Sequence, residues 1–464
     1  MLRQTIPGRI DLIALHEQQP ERYPCLLAGT ARAVSHTGRN RFDILFAFPN
    51  ARLELGQDGR LRSDNLQVAG DDFLQALDHC RLTERQSVVE TSDTDLPFQG
   101  GWFLFLGYEL VNQIEPTVNS RTNPNSRLPV ACALRIPAAV IYDHVTDQTH
   151  LIAEAGCAEC LTQMSTDLAG LAGYIQQNDM FAVTMQEEDA ANYLDGVSRV
   201  KNYIANGDVF QVNLSREWQG DKPAEMTPAN LFRQLARTNP APFAGLARLS
   251  AQAAIVSSSP ERLVRTRAGV VETRPIAGTR PRGRGMEVDN ALLSELIGHP
   301  KERAEHIMLI DLERNDLGRV CRPGSIKVNE LMALESYAHV HHIVSNIRGE
   351  LRDGISPGEV IRAVFPGGTI TGCPKVRCMA IIAELEQGAR GAYTGSMGYL
   401  NHSGEMDLNI LIRTIVLDGG TIRVRAGAGL VADSDAQNEL DETRAKAKGM
   451  LLSLQTAVEE TPSI

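Results

Sequence analysis

The sequence lacks a long apolar run. No stretch approaches the roughly 18 residues of a membrane-spanning helix, and the opening MLRQTIPGRIDLIALHEQQPERYP is too interrupted for a secretory signal. It also lacks a basic block. Lys plus Arg number 46 against 57 Asp plus Glu, a net charge of −11, which argues against nucleic-acid binding because that affinity comes from neutralising phosphates. An anionic small substrate stays open, since a few local cations reverse the field inside one cleft. Repeats, low-complexity tracts and long linkers are absent. The eight cysteines (Cys25, Cys80, Cys132, Cys157, Cys160, Cys321, Cys373, Cys378) are dispersed, which excludes a disulfide framework and leads us to expect a reduced, cytoplasmic setting. Cys157-Ala-Glu-Cys160 has no second pair and no nearby His, so it reads as a chance pair rather than a four-ligand zinc site.

What is present is ordinary globular composition: 464 residues, 43% hydrophobic and 22% charged, enough for about two to four domains or one intergrown unit. The polar run Gln186-Glu-Glu-Asp189 is the natural boundary, separating an N-terminal region 1–186 from a unit 187–455 and a short tail 456–464. Phe42–Phe48 and Gly101–Gly107 read as strands, the latter too apolar to face water. Tyr193, Val197, Val200 and Ile204 have helical spacing, ended by Asn206-Gly-Asp208. Alternating runs at 262–266 and 270–274 flank Ala268-Gly269, and runs at 410–417 and 421–425 flank Asp418-Gly-Gly420, which is hairpin chemistry. Helices are predicted over about 301–312, 374–386 and 435 onward. Hairpins with covering helices predict an α+β fold of stacked antiparallel β-sheets, a β-sandwich covered by helices, rather than a doubly wound parallel sheet.

Glu439, Glu442 and Lys446 stand at i, i+3 and i+7 of the last helix, within about 60° of one another. Such a trio is either a solvated stripe with an ordinary ion pair or a grip for a divalent cation beside an anion. The preceding Arg425-Ala-Gly-Ala-Gly-Leu-Val431 favours the second, because Gly427 and Gly429 let a ligand meet backbone N–H groups. In the 301–312 helix, Ala304, Ile307, Met308 and Leu312 form an apolar stripe with Glu305 at its edge, either snorkelling to water or ligating a metal. Oxygen-only ligation by one or two carboxylates is the habit of Mg²⁺. Phe365–Lys375 is Gly-rich and opens a helix but lacks the G-K-[ST] ending of a nucleotide loop, leaving a helix N-terminus that could receive a carboxylate. His339, His341 and His342 share one extended run, so they cannot all aim at one metal. Glu261 opens a strand as either an ion-pair partner or a proton donor, the ion pair being favoured for the residue in isolation.

Taken together, SSSPERLVRT, ETRPIAGTRPRG, KERAEHIMLIDLERNDLGRV, HVHHIVS, FPGGTITGCPKVRCM, GSMGYL, DLNILIRT and AGAGLVADSDAQNELDETRAKA resemble the chorismate-utilising enzyme family, in family order from about Tyr193 to Leu452. RFDILFAFP and PFQGGWFLFLGYEL are similar to the family's N-terminal region. FPGGTITG and PFQGG…LGYEL resemble its aminodeoxychorismate synthase branch, which serves p-aminobenzoate and folate synthesis, where anthranilate synthases usually have MGTLSGAPK in place of the former. Many members of that branch carry PIKGT with an attacking lysine. Here the loop is PIAGT, and the methyl of Ala277 cannot be a nucleophile.

The resemblance implies roles. Glu305 and Glu442, with Glu439 nearby, would ligate Mg²⁺ at the ring carboxylate; Gly278 and Thr279 would donate to that carboxylate, with Lys446 close by. Thr369 of FPGGTITG, Tyr399, Arg413 and the backbone of Gly427, Ala428 and Gly429 would bind the substrate, Arg413 through its planar fork. Glu261 would help the C4 hydroxyl leave, and His342 matches the family's active-site histidine. Gln211 stands where water-using members have a lysine, and a neutral amide cannot usefully deprotonate water. Ammonia needs no such base. The implied route adds ammonia at C2, giving noncovalent 2-amino-2-deoxyisochorismate, then again at C4. With no Cys-His-Glu glutaminase pattern in the sequence, a separate glutamine amidotransferase is expected to supply the ammonia. An anthranilate-forming enzyme is the runner-up. Against it, the LLES and NPSPYM pattern of that branch's tryptophan site reads Leu26-Leu-Ala-Gly29 and Asn239-Pro-Ala-Pro-Phe243. An inactive scaffold or amino-acid sensor is a third reading, opposed by the retained Glu261, Glu305 and Glu442.

Overall fold

Arg262–Arg267 and Val270–Arg274 pair antiparallel around Ala268 (φ 49°) and Gly269 (φ 75°), the two positive-φ positions that let a tight turn follow the right-handed twist of its strands. Thr414–Asp418 and Thr421–Leu430 form a second hairpin around Gly419-Gly420. The computed structural model describes residues 1–30, 41–85, 95–171, 174, 181–282, 285, 289, 300–336 and 340–455. His339 and the tail 456–464 lie outside the described residues, as do the side chains of Ala277 and Thr279.

Among the described residues the strands form two antiparallel sheets, so the α+β sandwich architecture is confirmed. In one, Leu2–Pro7, Gln148–Ala153, Ala138–Asp143, Phe42–Ala47 and Cys25–Leu27 lead into Phe243–Ser250, Ala253–Ser259, Thr414–Asp418, Thr421–Leu430 and Gln211–Asp221. In the other, Ile276–Pro281, Val340–Glu350, Val270–Arg274, Arg262–Arg267, Met406–Asn409 and Ser396–Asn401 continue into Gly101–Leu106, Ala131–Ile136 and Ala51–Leu55. Strands from both sides of residue 186 therefore share each sheet. Phe46 and Ile255 of the first sheet pack on Phe103, Phe105, Ile136 and Met397 of the second. Phe46 and Phe103 meet edge to face at 5.3 Å, a geometry that adds to the gain from apolar burial. The opposite face of Gly101–Leu106, with Trp102, Leu104 and Leu106, lies under the helices Phe73–Arg85 and Pro357–Val364. That double covering explains a strand with no polar alternation.

The helices run Ala190–Ala205, Pro300–Gly318, Lys375–Leu385 and Ala436–Ser453 where helices were predicted. Asp435 caps the last, accepting from the N–H groups of Gln437 and Asn438. Among the described residues, no helix is long and apolar enough to cross a membrane.

Two expectations need correction. The strand predicted over 410–417 is broken: Met406–Asn409 and Thr414–Asp418 belong to different sheets, and the chain crosses between them through Arg413 at φ 53°. Apolar alternation continues through the crossing, which hides the break from the sequence. The Ala304/Ile307/Met308/Leu312 stripe is also only partly a core face. It borders an open groove of about 720 Å³, with Ala304 and Ile307 exposed and Met308 half-buried, while Leu312 is buried along with His306, Leu309, Ile310, Glu313 and Leu317.

Candidate active site

Where the two sheets approach the helices Pro300–Gly318 and Ala436–Ser453, a cavity of about 690 Å³ opens. Its wall holds Glu261, Gly278, Thr369, Arg413 and His342, Gln211 with Gly427 and Gly429, and Glu305, Glu439, Glu442 and Lys446. The i, i+3, i+7 face of the last helix is thus turned inward. Glu305, from a helix more than a hundred residues earlier in the chain, meets it across the cavity.

Glu261 is 5% exposed. Burial pushes its carboxyl up to about 8; the Thr369 hydroxyl beside it opposes the shift, the charge of Glu313 adds to it, and the Ile276 N–H and Lys446 oppose it. No arginine or lysine pairs with it among the described residues, so the ion-pair reading of Glu261 is overturned. It is a carboxylic acid that holds its proton at neutral pH. His342 is buried, and burial together with the Arg413 charge lowers it to about 4 against the opposing bond to the Gly278 backbone. At neutral pH it is an uncharged imidazole. His341, its neighbour, points to the other face, between Ser336 and Asp289.

Gly278 is the extra residue of a β-bulge. Ala277 pairs with Ile343 and Thr279 with His342, leaving Gly278 (φ 72°) between them. A bulge frees backbone groups from the ladder, and only glycine takes this φ without strain. Gly427 is required for space: a Cβ there would lie 2.6 Å from the Leu214 carbonyl oxygen and 2.8 Å from the Tyr393 hydroxyl. Lys446 Nζ bonds the Gly427 carbonyl at 3.0 Å and Glu442 Oε1 at 2.7 Å. Arg413 has no carboxylate within ion-pair distance among the described residues, and burial lowers its pKa. A half-buried guanidinium with no ion-pair partner among the described residues is a ready seat for an anion.

One substrate-binding expectation is corrected. Tyr399 faces a separate cavity of about 700 Å³, packed edge-on against Phe98 and paired in register with Asp407. Strand alternation from Met397 turns it there. The tyrosine in the candidate site is Tyr393, six residues earlier, in the turn before that strand. The Ala428 side chain is fully buried and turned away from the wall formed by Gly427 and Gly429, which leaves its backbone, the part expected to matter, beside the cavity. Sequence reading also missed Arg425 and Asn213, which line the cavity, and the Glu386–Arg390 pair behind it. The YTGSMGY segment contains both tyrosines, but spacing alone does not say which one turns inward. Tyr393→Phe is expected to raise the KM for the bound anion about tenfold or more, the loss of one hydrogen bond to a charged group. Tyr399→Phe should change it less than about twofold, and steady-state kinetics on the two variants separates them.

The carboxylates of Glu305, Glu439 and Glu442 suit a hard cation, which takes oxygen donors and keeps several waters. Among the described residues, the only trio of His, Cys, Asp or Glu donors found within 4.8 Å of one another is Cys157, Glu159 and Cys160, at the start of the helix Ala158–Gly170. The ligand atoms of the three cavity glutamates are not grouped that tightly.

A model of the chorismate binding enzyme family matches residues 31–452. The chain belongs to that family. Aminodeoxychorismate synthase component 1 of Bacillus subtilis is 42% identical over 387 residues, covering 80% of this chain and 81% of the relative. Anthranilate synthase component 1 of Aquifex aeolicus is 40% identical over 383 residues, covering 79% and 77%. The crystal structure of anthranilate synthase component I from Streptococcus pneumoniae superposes with a TM-score of 0.78 at 31% identity, covering 90% of this chain and 94% of that one. As a chorismate binding enzyme the chain is expected to place an anionic ring in the 690 Å³ cavity, and the unpaired Arg413 and the bulged Gly278 are consistent with that cargo.

Proposed function

We propose that the chain is the ammonia-using component of an aminodeoxychorismate synthase, converting chorismate to 4-amino-4-deoxychorismate with ammonia from a separate glutamine amidotransferase. The observation that carries this reading is a protonated Glu261 facing a wall in which residue 211 is a neutral glutamine amide rather than a lysine base and the one lysine among the described residues is already engaged. Residue 277 is alanine, and the lysine in the wall, Lys446, is held by Glu442 and the Gly427 carbonyl.

In the proposed reaction Arg413, Tyr393 and the backbone at Gly427 to Gly429 hold the enolpyruvyl carboxylate, while Gly278 and Thr279 meet the ring carboxylate. The ammonia lone pair forms the N–C2 bond, the two ring double bonds shift, and the C4–O bond breaks. Glu261 gives its proton to the departing oxygen, which leaves as water. The surplus proton stays on the new ammonium, balancing the Glu261 carboxylate. A second ammonia then forms the N–C4 bond, the double bonds shift back, and the C2 amine leaves as ammonia. Glu305, Glu439 and Glu442 are the residues that would hold Mg²⁺, which when bound supplies charge stabilisation at the ring carboxylate. Stripping divalent metal with EDTA is expected to lower turnover about a thousandfold, restored by Mg²⁺, because such stabilisation is worth several kcal/mol.

Anthranilate synthesis is the second reading, favoured by Ala277 and by the relatives that bear that name. The residues that replace its LLES pattern speak against it. Leu27, Ala28 and Gly29 line the second cavity with no acid or serine among them. Incubation with chorismate, Mg²⁺ and ammonium, with and without aminodeoxychorismate lyase, decides the product. p-Aminobenzoate only with lyase supports the proposal, whereas fluorescent anthranilate without lyase supports the alternative. A covalent adduct in the intact mass spectrum would refute the noncovalent route.

A further inference from the structure

A tight turn joins the strand Gln148–Ala153 to the helix Ala158–Gly170, and none of its residues belongs to the cavity wall. Two backbone bonds set the turn, from the Cys157 N–H to the Glu154 carbonyl (2.9 Å) and from the Cys160 N–H to the Cys157 carbonyl (3.1 Å). Cys157 Sγ, Cys160 Sγ and a Glu159 carboxylate oxygen all lie within 4.8 Å of one another. A regular helix would not make that grouping, because residues one and two places apart do not face each other. Cys157 stands outside the helix as its N-cap, at φ −125° and ψ 43°, and its side chain makes no capping bond. That bend turns the first thiol back over the first helical turn, where Glu159 and Cys160 meet it.

An acid in the first turn of a helix is ordinary, since it complements the helix dipole. A carboxylate pointing to water fills that role, and Glu159 is exposed enough to point there. Its carboxylate instead comes back to the two sulfurs, and it has no ion-pair partner among the described residues. The charges around the turn are committed elsewhere: Glu154 pairs with Arg135 (2.6 Å) and His402 (2.9 Å). Both cysteines are free thiols, Cys160 buried and Cys157 half-buried. The trio is therefore closed by protein on the Cys160 side and open to water at Glu159. Two sulfurs and one carboxylate oxygen suit Zn²⁺, a borderline ion of tetrahedral habit, and not Mg²⁺. The cavity glutamates, with oxygen donors alone, have the opposite preference. Zinc would bind the thiolates and release their protons to solvent, with water in the fourth position.

We propose that Cys157, Glu159 and Cys160 form a Zn²⁺ site with one open position, fastening the strand-to-helix turn of the N-terminal region. The site stands apart from the amination reading and does not depend on it. The test takes the full chain in reduced form, with excess Mg²⁺ to fill oxygen-only sites and Co²⁺ as the probe. Co²⁺ is expected to give a thiolate-to-metal charge-transfer band and the strong visible bands of tetrahedral coordination, saturating at a single equivalent and erased by Zn²⁺. Cys157→Ser and Cys160→Ser should each weaken Zn²⁺ binding about a hundredfold or more, because even groups outside the ligand shell contribute ten- to a hundredfold. Competition with a chromophoric chelator measures the loss. Glu159→Gln should keep the charge-transfer band and weaken binding about tenfold. Cys157 is half-buried, so its variant keeps the test open if the change at buried Cys160 prevents folding. Absence of the band in the unaltered chain, or a band that survives both serine changes, overturns the site. Unchanged affinity in Glu159→Gln overturns the three-donor set.

Discussion

Glu261→Gln is expected to lower kcat by about 10² to 10⁴, the usual contribution of a positioned acid, with the chorismate KM nearly unchanged. Glutamine keeps the shape and the hydrogen bonds but cannot give a proton to the departing hydroxyl. The pH profile supplies an independent check. Because the carboxyl is pushed up to about 8 by burial, the unaltered protein should keep its rate through neutrality and lose about tenfold per pH unit above 8. The glutamine variant should lack that limb. Stability follows the same group with a defined sign. Between its ordinary value of 4.5 and about 8 the unfolded chain releases this proton while the folded chain keeps it, so the stabilising contribution is full below 4.5 and declines as pH rises. Glu261→Gln should therefore be more stable than the parent at pH 9, as read by urea denaturation. A variant retaining turnover within fivefold of the parent, or retaining the alkaline limb, would remove Glu261 from the proton-donor role.

The largest stability effect is expected at Glu386, which is outside the cavity. Its Oε1 accepts from the Ser215 N–H (2.9 Å), the Ser215 hydroxyl (2.8 Å) and Arg390 (2.6 Å), and its Oε2 accepts from Arg390 Nε (2.9 Å) and Arg425 (3.3 Å). Burial alone would raise its pKa, but Arg390, Arg425 and the Ser215 hydroxyl outweigh burial and hold it below the ordinary value. Glu386→Ala leaves two buried guanidinium groups without that charge and should cost about 3–5 kcal/mol, the range for breaking a buried pair from one side. The shift in the urea midpoint measures it. The stabilising contribution of this carboxylate is present above its ordinary value and is lost as pH falls through its lowered one. A functional consequence should accompany the loss, since Arg425 lines the cavity and Arg390 lies 5.5 Å from the Tyr393 ring. A change below about 1 kcal/mol would mean that water replaces the carboxylate readily.

Several features of the site were readable because they are local. The i, i+3, i+7 face of the last helix follows from helical rise alone, and all three residues line one cavity. The hairpin turns follow from glycines that accept positive φ. The family motifs place Glu261, Glu305, His342 and Arg413 in the sequence, and the folded chain gathers them around the same space.

Other features were not readable, for equally physical reasons. Tyr393 and Tyr399 are the same residue type in one short segment. Which of them turns inward depends on where the strand Ser396–Asn401 begins and on the phase of its alternation. The apolar stripe 304–312 has the spacing of a core face, yet the helix is rotated so that Glu305 meets the cavity and Ile307 stays exposed. Arg413 reaches the cavity from a crossing between sheets that its alternating neighbours conceal.

The sequence by itself determined the fold class, the family and the positions of the acidic helix face, because backbone propensity, turn chemistry and helical periodicity are set by residues a few places apart. Only the tertiary structure decided that Glu261 keeps a proton and that Tyr393 rather than Tyr399 lines the cavity. Those properties depend on desolvation and convergence among residues far apart in the chain, and neither is encoded in any single segment.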